Sequence, residues 1–282
     1  MPVFKIKSHA KINLSLGILG KLKSKLHKIE SVISFIDLHD EIFIQEIKKK
    51  KHIVIFYGKF SKTISSKNTI TNLLNILDKK NILKNKKYLI KINKNIPLKS
   101  GMGGGSMNAS SVLRYFLKRN KIRLSKKQIL KISNEVGSDV IIGMEKKNSF
   151  LNTDEKLFIY NKKIKLYTLI IKPKFGCSTK KIYKNIKNFS QPTLFKKNNK
   201  ILTINTLANL KNDLEKVAFK KYPILFNIKR DILNLSKVKF ARMTGSGSSI
   251  IGYFQSKKAL LNGAKILRKK YKNYWCILSK TI

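Results

Sequence analysis

The chain has 282 residues, enough for one large domain or two modest ones around a substantial core. Its 62 lysine and arginine residues against 14 aspartate and glutamate residues give a formal charge of +48. The apolar fraction of 42% is that of a globular soluble protein.

The excess of positive charge first suggests nucleic-acid binding. However, 56 of the 62 basic residues are lysines and only six are arginines. Arginine forms bidentate hydrogen bonds with phosphates and with guanine edges, whereas lysine is a solvated point charge. The lysines are spread along the chain among many Asn and Ile residues, as AT-rich codons favour. We therefore interpret the charge as compositional bias, predict no specific nucleic-acid partner, and expect attraction of anionic substrates.

The two cysteines, Cys177 and Cys276, lie far apart and outside any CxxC pair. They predict free thiols in a reducing compartment, with neither a disulfide framework nor a zinc site. No apolar run approaches the roughly 20 residues that cross a bilayer, and the N-terminal segment lacks the apolar core of a signal peptide. These features predict a cytoplasmic protein without a membrane partner.

The first half of the chain alternates strand-like and helix-like patterns. The helical spacing of Ile70, Leu73, Leu74 and Leu77 is the clearest of these patterns. The predicted elements are strands over 3–7, 11–19 and 88–93, a hairpin over 41–47 and 52–60, and helices over 69–83, 106–119 and 126–136.

Beyond about Lys162 the pattern restarts with a strongly β-forming run over 166–171. Pro223 suits the first turn of a helix, where a missing N–H costs little. The predicted elements that follow are helices over 206–220 and 223–236, strands over 240–244 and 249–254, a helix over 257–272 and a strand over 275–278. The sequence thus predicts an α+β protein in two domains, residues 1–160 and 161–282.

A glycine-rich segment over 96–109 separates a predicted strand from a predicted helix. Glycine permits left-handed backbone angles and close approach, so successive N–H groups can converge on a phosphate. The helix N-terminus adds further unpaired N–H groups and its positive dipole end, and Ser106 is predicted as the N-cap. The alternative is a flexible linker, but a linker seldom joins a strand directly to a capped helix.

Two common phosphate-binding loops do not fit this segment. A Walker A loop ends in Gly-Lys-Ser/Thr, and this segment contains no such run. The dinucleotide pattern G-x-G-x-x-G would need glycine at position 106, where the chain has serine.

From Pro97 to Ala109 the pattern Pro-x-x-x-Gly-x-Gly-Gly-Gly-Ser-x-Asn-Ala resembles the phosphate loop of the GHMP kinase family. It is most similar to the branch whose acceptor is linked to cytidine diphosphate. Lys99 and Ser100 replace two further glycines of that branch, which predicts a stiffer start of the loop, and Lys99 is a possible additional phosphate contact. The resemblance implies that ATP phosphates bind at Pro97, Gly101, Gly103, Gly104, Gly105, Ser106 and Asn108.

Two further segments resemble the catalytic motifs of the family. Lys11 lies in the run Ala-Lys-Ile-Asn-Leu, and Asp139 lies in Gly-Ser-Asp-Val, where Ile141 replaces the usual proline. Taken alone, Lys11 would be one surface lysine among 56, and Asp139 a capping or turn residue. The resemblance implies that Asp139 accepts the proton of the attacking hydroxyl and that Lys11 orients both groups, as phosphoryl transfer requires.

Leu26 and His27 stand where the cytidyl branch has a Tyr-His pair. The resemblance implies that His27 reads cytosine and that Leu26 and Tyr183 flank the base. Leu26 offers a poorer face than an aromatic ring, since stacking is worth about 1–3 kcal/mol per base. Ordinary packing or surface exposure remains the alternative for these three residues. Further residues implied to contact the acceptor are Asn13, Thr179, Gly245 and Gly247.

The segment that begins at Ala241 resembles the family's third motif, Ser-Arg-x-Thr-Gly-x-Gly-Ala. A Gly-x-Gly turn between strands is weak by itself, but three motifs in the expected order are strong together. The loop is implied to approach the phosphates or the acceptor. Residues that match contacts to the nucleotide base are Asn68, Ile70 and Lys94.

The resemblance covers nearly the whole chain and implies a two-domain GHMP kinase fold. Its N-terminal domain would be like ribosomal protein S5 domain 2, and its C-terminal domain would be ferredoxin-like. The implied reaction is ATP-dependent phosphorylation of the 2-hydroxyl of 4-diphosphocytidyl-2-C-methyl-D-erythritol, in the non-mevalonate route to isoprenoid precursors. Mg²⁺ is expected with ATP because divalent charge neutralises the β- and γ-phosphate oxygens.

Two alternatives stay open on the sequence. The first is another GHMP kinase that acts on homoserine or mevalonate. The second is a basic nucleic-acid-binding protein that has lost kinase activity, which would bind polyanions in a salt-sensitive way without releasing ADP. The oligomeric state is expected to be a monomer or a homodimer.

Overall fold

The computed structural model describes residues 1–22, 27–119, 122–152, 156–192 and 202–282. The chain forms two compact units. The first unit comprises Met1–Lys11, Leu38–Leu98 and Gly103–Lys146. The second unit comprises Ile12–Asp37, Lys99–Met102 and Lys147–Ile282. The predicted family-domain boundary near residue 160 stays a prediction, since these units are interleaved along the chain.

Strands and helices alternate in both units, so the α+β prediction is confirmed. The strands are β1 (Val3–Asn13), β2 (Gly17–Lys21), β3 (His27–Ile47), β4 (Ile53–Tyr57), β5 (Lys87–Asn93), β6 (Ser149–Leu151), β7 (Leu157–Ile159), β8 (Tyr167–Lys172), β9 (Val238–Met243), β10 (Ile250–Phe254) and β11 (Trp275–Lys280). The helices are α1 (Thr69–Lys79), α2 (Gly104–Arg119), α3 (Lys126–Val136), α4 (Val140–Glu145), α5 (Thr179–Lys184), α6 (Ile204–Asn209), α7 (Leu214–Lys221), α8 (Pro223–Leu233) and α9 (Lys257–Lys270).

In the first unit, β5 lies between the C-terminal half of β3 and β4. It pairs antiparallel with β3 and parallel with β4. The predicted hairpin over 41–47 and 52–60 is therefore wrong. The reason is burial: the alternate residues Tyr88, Ile90 and Ile92 of β5 are almost fully buried, as a central strand requires. Ile53 and Ile55 of β4 remain 40% and 43% exposed, as on an edge strand.

The helices of the first unit bury their apolar faces against this sheet. Ile70, Leu73, Leu74 and Leu77 of α1 enter the core, as their spacing predicted. Helix α3 has the predicted bounds because Ser125 and Gln128 form a capping box at its start. Helix α1 ends four residues earlier than predicted.

In the second unit, an antiparallel sheet has the strand order β11-β8-β10-β9. The N-terminal half of β3 also lies in this unit and pairs antiparallel with β2 and with β6, which in turn pairs with β7. Helices α8 and α9 contribute Leu225, Ile228, Ile232, Leu260 and Leu267 to the core. Pro223 begins α8, as predicted.

The predicted single helix over 206–220 is wrong. Helix α6 ends at Asn209, and α7 begins at Leu214. Between them, Asn212 forms a bridge with Leu16, and its side-chain amide donates hydrogen bonds to two carbonyl groups outside the helices. These tertiary bonds replace the helical ladder locally, although the apolar spacing continues through the break.

Both cysteines are free, as predicted, and Cys177 is buried. Among the described residues, no helix combines the length and apolar character that a membrane span needs.

Candidate active site

The end of the glycine-rich loop and the start of α2 form the centre of the candidate site in the first unit. The Met107 N–H donates to the Gly103 carbonyl at 2.8 Å, so the helix begins at Gly104. The prediction of Ser106 as N-cap is therefore wrong, because Ser106 already lies in the first turn. The first N–H groups of a helix have no partner within it, so this end can bind a phosphate.

Lys11 and Asp139 meet beside Gly103. Lys11 Nζ lies 3.1 Å from Asp139 Oδ2, and the lysine side chain is 6% exposed against 36% for the aspartate. Gly103 has a φ of +65°, and a Cβ atom there would lie 3.0 Å from Lys11 Cε and 3.6 Å from Asp139 Oδ2. Glycine therefore suits this position for two reasons: it adopts the left-handed angle without strain, and a Cβ atom would crowd the Lys11 side chain.

Asp139 does not act as a helix cap. It occupies the N-cap position of α4, but its side chain makes no capping hydrogen bond. The carboxylate instead faces the Lys11 ammonium and keeps part of its surface open to solvent. A carboxylate in this state can accept a proton or a hydrogen bond from a bound hydroxyl group.

A buried ion pair lies beneath the glycine loop. Lys94 is 1% exposed and pairs with Asp40, which is 0% exposed. Asp40 Oδ1 also accepts the N–H groups of Asn95 and Ile96 at 2.8 Å each. A Cβ atom on Gly104 would lie 3.4 Å from Lys94 Nζ. The pair therefore fixes the chain just before buried Pro97 and places an ammonium group under the start of α2.

The predicted contacts to the nucleotide base lie in the first unit with their side chains engaged. Asn68 caps α1 by accepting the N–H groups of Ile70 and Thr71 at 3.0 and 3.1 Å. Ile70 is fully buried, and Lys94 pairs with Asp40. A cavity of about 720 Å³ lies beside Asn68, with Phe56 also in its lining.

The start of the glycine loop belongs to the second unit, where it contacts the third-motif turn 244–247. A Cβ atom on Gly101, whose φ is +78°, would lie 1.9 Å from the Thr244 carbonyl oxygen. The Thr244 hydroxyl donates to the Gly101 carbonyl at 3.2 Å. The N–H groups of Ser248 and Ser249 donate to the Lys99 and Ser100 carbonyls at 3.2 and 3.3 Å.

Lys99 adopts a φ of +49°, in the left-handed region that favours glycine. The family's preference for glycine at this position thus has a conformational reason.

Other predicted acceptor contacts also gather at the turn in the second unit. The Asn13 N–H donates to Thr244 Oγ1 at 3.1 Å, and Asn13 Nδ2 donates to Ser31 Oγ at 2.8 Å. Thr179 Oγ1 lies 2.9 Å from Ser246 Oγ. Gly245 and Gly247 form the turn itself, with φ values of +52° and +86°.

His27 and Tyr183 lie side by side in the second unit, with ring centroids 5.0 Å apart and planes inclined by 51°. Burial, together with the charge of Lys21, lowers the pKa of His27 and favours its neutral form. Neutral imidazole can both donate and accept, as recognition of a cytosine edge requires. Leu26 lies outside the described residues.

Asn108, another predicted phosphate-loop residue, is 1% exposed in α2. Its side-chain carbonyl oxygen has no hydrogen-bond partner within the described ranges.

Sequence reasoning missed several residues that hold these groups in place. From the sequence, Asp40 was assigned no part in the site, although the scarcity of carboxylates in this chain was a signal. Asn212 and Glu215 were assigned to a continuous helix. Their role depends on contacts with residues distant in sequence, which no local pattern indicates.

No group of three His, Cys, Asp or Glu side chains in the described part of the chain is placed to bind a metal ion. Mg²⁺ in kinases is held largely by substrate phosphates and water, with one or two carboxylates. The described residues thus offer no all-protein metal cage.

Two family models and several named proteins are similar to this chain. The family model for the GHMP kinases N terminal domain matches residues 68–146, and the model for the GHMP kinases C terminal matches residues 190–273. A protein of Pelagibacter ubique (strain HTCC1062) named 4-diphosphocytidyl-2-C-methyl-D-erythritol kinase is 52% identical over 282 residues and aligns over the whole of both chains. A protein of the same name from Thermoanaerobacter pseudethanolicus is 30% identical, covering 100% of this chain and 97% of that one.

Solved structures share the fold. A crystal structure of 4-(cytidine 5'-diphospho)-2C-methyl-D-erythritol kinase superposes with a TM-score of 0.81 at 19% identity, covering 99% of this chain and 100% of that chain. Homoserine kinase from Cytophaga hutchinsonii gives a TM-score of 0.72 at 15% identity, covering 100% of this chain and 95% of that chain. The predicted two-domain fold is thereby confirmed, and the chain belongs to the GHMP kinase family.

Proposed function

We propose that this chain transfers the γ-phosphate of ATP to the 2-hydroxyl of 4-diphosphocytidyl-2-C-methyl-D-erythritol, a step of the non-mevalonate route to isoprenoid precursors. The observation that carries the proposal is the meeting of Lys11 Nζ and Asp139 Oδ2, 3.1 Å apart, beside Gly103. The full-length relative at 52% identity, which bears the name of that kinase, supports the choice of acceptor.

In this proposal the ATP phosphates lie against the start of α2. The backbone N–H groups of Gly104, Gly105 and Ser106 are the first of the helix and face its N-terminal end, where the helix dipole favours negative charge. The Lys94 ammonium lies close beneath Gly104 as one half of its ion pair with Asp40. Also assigned to the phosphates are Pro97, Gly101, Gly103 and Asn108.

Asp139 acts as the acceptor of the substrate's hydroxyl proton. Its carboxylate is already oriented by Lys11 and is open enough for a hydroxyl group to reach it. As the oxygen–phosphorus bond forms, the proton passes to Asp139 and the ADP oxygen leaves with the bonding electrons. The Lys11 ammonium keeps the carboxylate fixed and offsets negative charge that develops near it.

The cytidine group is assigned to His27 and Tyr183, with Leu26 as the second face. Their ring contact in the second unit provides an aromatic surface and a hydrogen-bonding edge close together. Asn13, Thr179, Gly245 and Gly247 are assigned to the rest of the acceptor.

The adenine base is assigned to the neighbourhood of Asn68, Ile70 and Lys94. Because their side chains are engaged in a cap, in the core and in an ion pair, the base would meet backbone groups at these positions. The cavity of about 720 Å³ beside Asn68 has room for it.

Mg²⁺ is expected to accompany ATP and to neutralise the phosphate oxygens. We further expect a cytoplasmic monomer or homodimer with no specific nucleic-acid partner.

The proposal is tested by measuring ADP release from purified protein with ATP, Mg²⁺ and three separate alcohols. These are 4-diphosphocytidyl-2-C-methyl-D-erythritol, homoserine and mevalonate. We expect turnover with the first alcohol and none above background with the other two. Turnover with homoserine or mevalonate instead would assign the chain a different acceptor, and no turnover with any alcohol would contradict a kinase function.

A further inference from the structure

The side-chain amide of Asn212 is completely engaged in the second unit. It is 2% exposed, and its Nδ2 donates to the carbonyls of Met243 and Gly245 at 2.7 and 2.9 Å. These carbonyls are on either side of Thr244. The amide oxygen accepts the Leu214 N–H at 3.0 Å and thereby starts α7. One side chain thus holds the carbonyl groups of the residues directly before and after the threonine of the third motif.

The segment that carries Asn212 is itself held on both sides. The Leu16 N–H donates to the Lys211 carbonyl, and the Asp213 N–H donates to the Leu16 carbonyl, both at 2.9 Å. The Ile18 N–H donates to Asp213 Oδ2 at 2.7 Å. The backbone that carries Asn212 is therefore fixed by its own hydrogen bonds, so Asn212 holds the turn in one position.

Two charged residues, Glu215 and Arg242, fix the end of β9, which leads into the turn. Glu215 Oε1 accepts the Met243 N–H at 2.8 Å, while its other oxygen pairs with Lys229 at 2.6 Å. Arg242, 3% exposed, donates to the carbonyls of Leu207 and Ala208 at 2.9 and 3.3 Å, and also to those of Leu14 and Leu210. The arginine of the third motif is thus satisfied by the protein backbone, which leaves the turn and not the arginine for the substrate.

The turn is hydrogen-bonded to residues assigned to the substrates. Thr244 Oγ1 accepts the Asn13 N–H at 3.1 Å and donates to the Gly101 carbonyl at 3.2 Å. Ser246 Oγ lies 2.9 Å from Thr179 Oγ1. A shift of the turn would therefore disturb two residues assigned to the acceptor, Asn13 and Thr179, and one assigned to ATP, Gly101.

We infer that Asn212 is a positioning residue that sets the turn 244–247 for binding of the acceptor alcohol. The inference rests on the proposed function, because it assigns this turn to the acceptor and not to ATP. Asn212 touches no substrate in this assignment and acts only through the two carbonyl groups. Its loss should therefore affect the acceptor more than the nucleotide.

Asn212→Asp is the sharpest variant, since it keeps the size of the side chain and the acceptor for Leu214. It replaces the NH₂ group by an oxygen that faces two carbonyl oxygens and repels them. Asn212→Ala removes the donor without this repulsion. Asn209→Ala is the matched control, because Asn209 is exposed at the end of α6, three residues away.

Two measurements are made on each folded variant. Steady-state kinetics give separate KM values for ATP and for the acceptor, and hydrogen–deuterium exchange compares the amides of 243–250 with those of β8. For Asn212→Asp we expect the acceptor KM to rise about tenfold and the ATP KM to change less than about threefold. Exchange should accelerate in 243–250 and stay unchanged in β8, and Asn209→Ala should match the unmodified protein.

Equal changes in both KM values, or faster exchange throughout the second unit, would overturn the inference in favour of general stabilisation. Failure of both Asn212 variants to fold would have the same meaning. Should the unmodified protein lack activity on the cytidyl alcohol, the proposed function fails, whereas the exchange comparison still decides whether Asn212 positions the turn.

Discussion

Gly103 brings the backbone of the glycine-rich loop next to Lys11 and Asp139, the pair to which we assign the catalytic role. Because glycine has no Cβ atom, the loop packs directly against Lys11 at this position. The φ of +65° is one that glycine adopts without strain. From the sequence, this glycine was explained by contact with a phosphate. The second reason for a glycine here, which is close packing against the aliphatic part of Lys11, 92 positions earlier in the chain, was not predicted.

Gly103→Ala is expected to reduce turnover about 10²-fold, because a Cβ atom would displace Lys11 and with it Asp139. The left-handed angle adds a conformational cost of about 1–2 kcal/mol. Turnover and urea unfolding are measured against Gly20→Ala, which also has a positive φ, +159°, and so carries backbone strain, but whose Cβ atom would meet nothing within 4 Å. A Gly103→Ala protein with unchanged turnover would show that Lys11 does not depend on this contact.

His9, two residues before Lys11, is expected to make stability depend on pH. Burial, assisted by Lys146 and His39, lowers the pKa of His9 from 6.5 to about 4. Below pH 6.5 the unfolded chain binds a proton here that the folded protein excludes. The free energy of unfolding should therefore fall as the pH drops from 6.5 towards 4, and be fully retained above 6.5.

His9→Gln should flatten this acid-side slope, because glutamine does not titrate. The measurement is the free energy of unfolding from urea titrations between pH 7 and 5. His27 and His52, whose pKa values are also lowered by burial, leave a residual slope in the variant. A slope in His9→Gln equal to that of the unmodified protein would contradict the assignment.

Helices and strands with a strong apolar periodicity were predicted from the sequence. Strand order and helix breaks that depend on contacts with distant residues were not. Helix α3 was predicted with its observed bounds, and the capping box that starts it is formed by residues only three positions apart. The pairing of β4 with β5 was missed because strand order depends on which strand buries more surface, not on which strand comes next. The break between α6 and α7 was missed because the bonds of Asn212 reach residues about 30 positions away.

The segment between β5 and α2 depends on the Asp40–Lys94 pair. Asp40→Asn keeps the oxygen that accepts the Asn95 and Ile96 N–H groups but leaves the Lys94 ammonium buried without its counter-charge. We expect a loss of roughly 3–5 kcal/mol in the free energy of unfolding, measured by urea titration.

Glu46→Gln is the control for this variant, since Glu46 forms a more exposed pair with Lys86. Its loss should cost at most about 1 kcal/mol. Similar small losses for both variants would indicate that the buried pair contributes no more than a surface pair.

For the whole molecule, the charge of +48 is the property that sequence reasoning could describe but not localise. Composition indicated that both substrates, being anionic, would be attracted, and the three motifs together predicted the family. The roles of single motif residues depend on side-chain contacts, such as those that engage Asn68 and Lys94 within the protein. Those contacts involve residues distant in sequence and could not be read from the motifs.

We expect kcat/KM for both substrates to fall by about tenfold between 0.1 and 1 M salt, with little change in kcat. The Debye length shortens from about 10 Å to 3 Å over this range, so the field of the lysines is screened. A neutral osmolyte at matched osmolarity serves as the control. Salt-independent kcat/KM would indicate that the charge has no part in substrate binding.

The pairing of Lys11 with Asp139 beside the glycine loop is tested most directly by a double-mutant cycle on kcat. Asp139→Asn, Lys11→Met and the double variant are compared with the unmodified protein, with ATP affinity measured in parallel and Glu135→Gln as the exposed-carboxylate control. We predict that Asp139→Asn lowers kcat by roughly 10²–10⁴-fold and that adding Lys11→Met lowers it little further, while ATP binding is retained. An Asp139→Asn protein that turns over at a rate close to that of the unmodified protein would contradict this assignment.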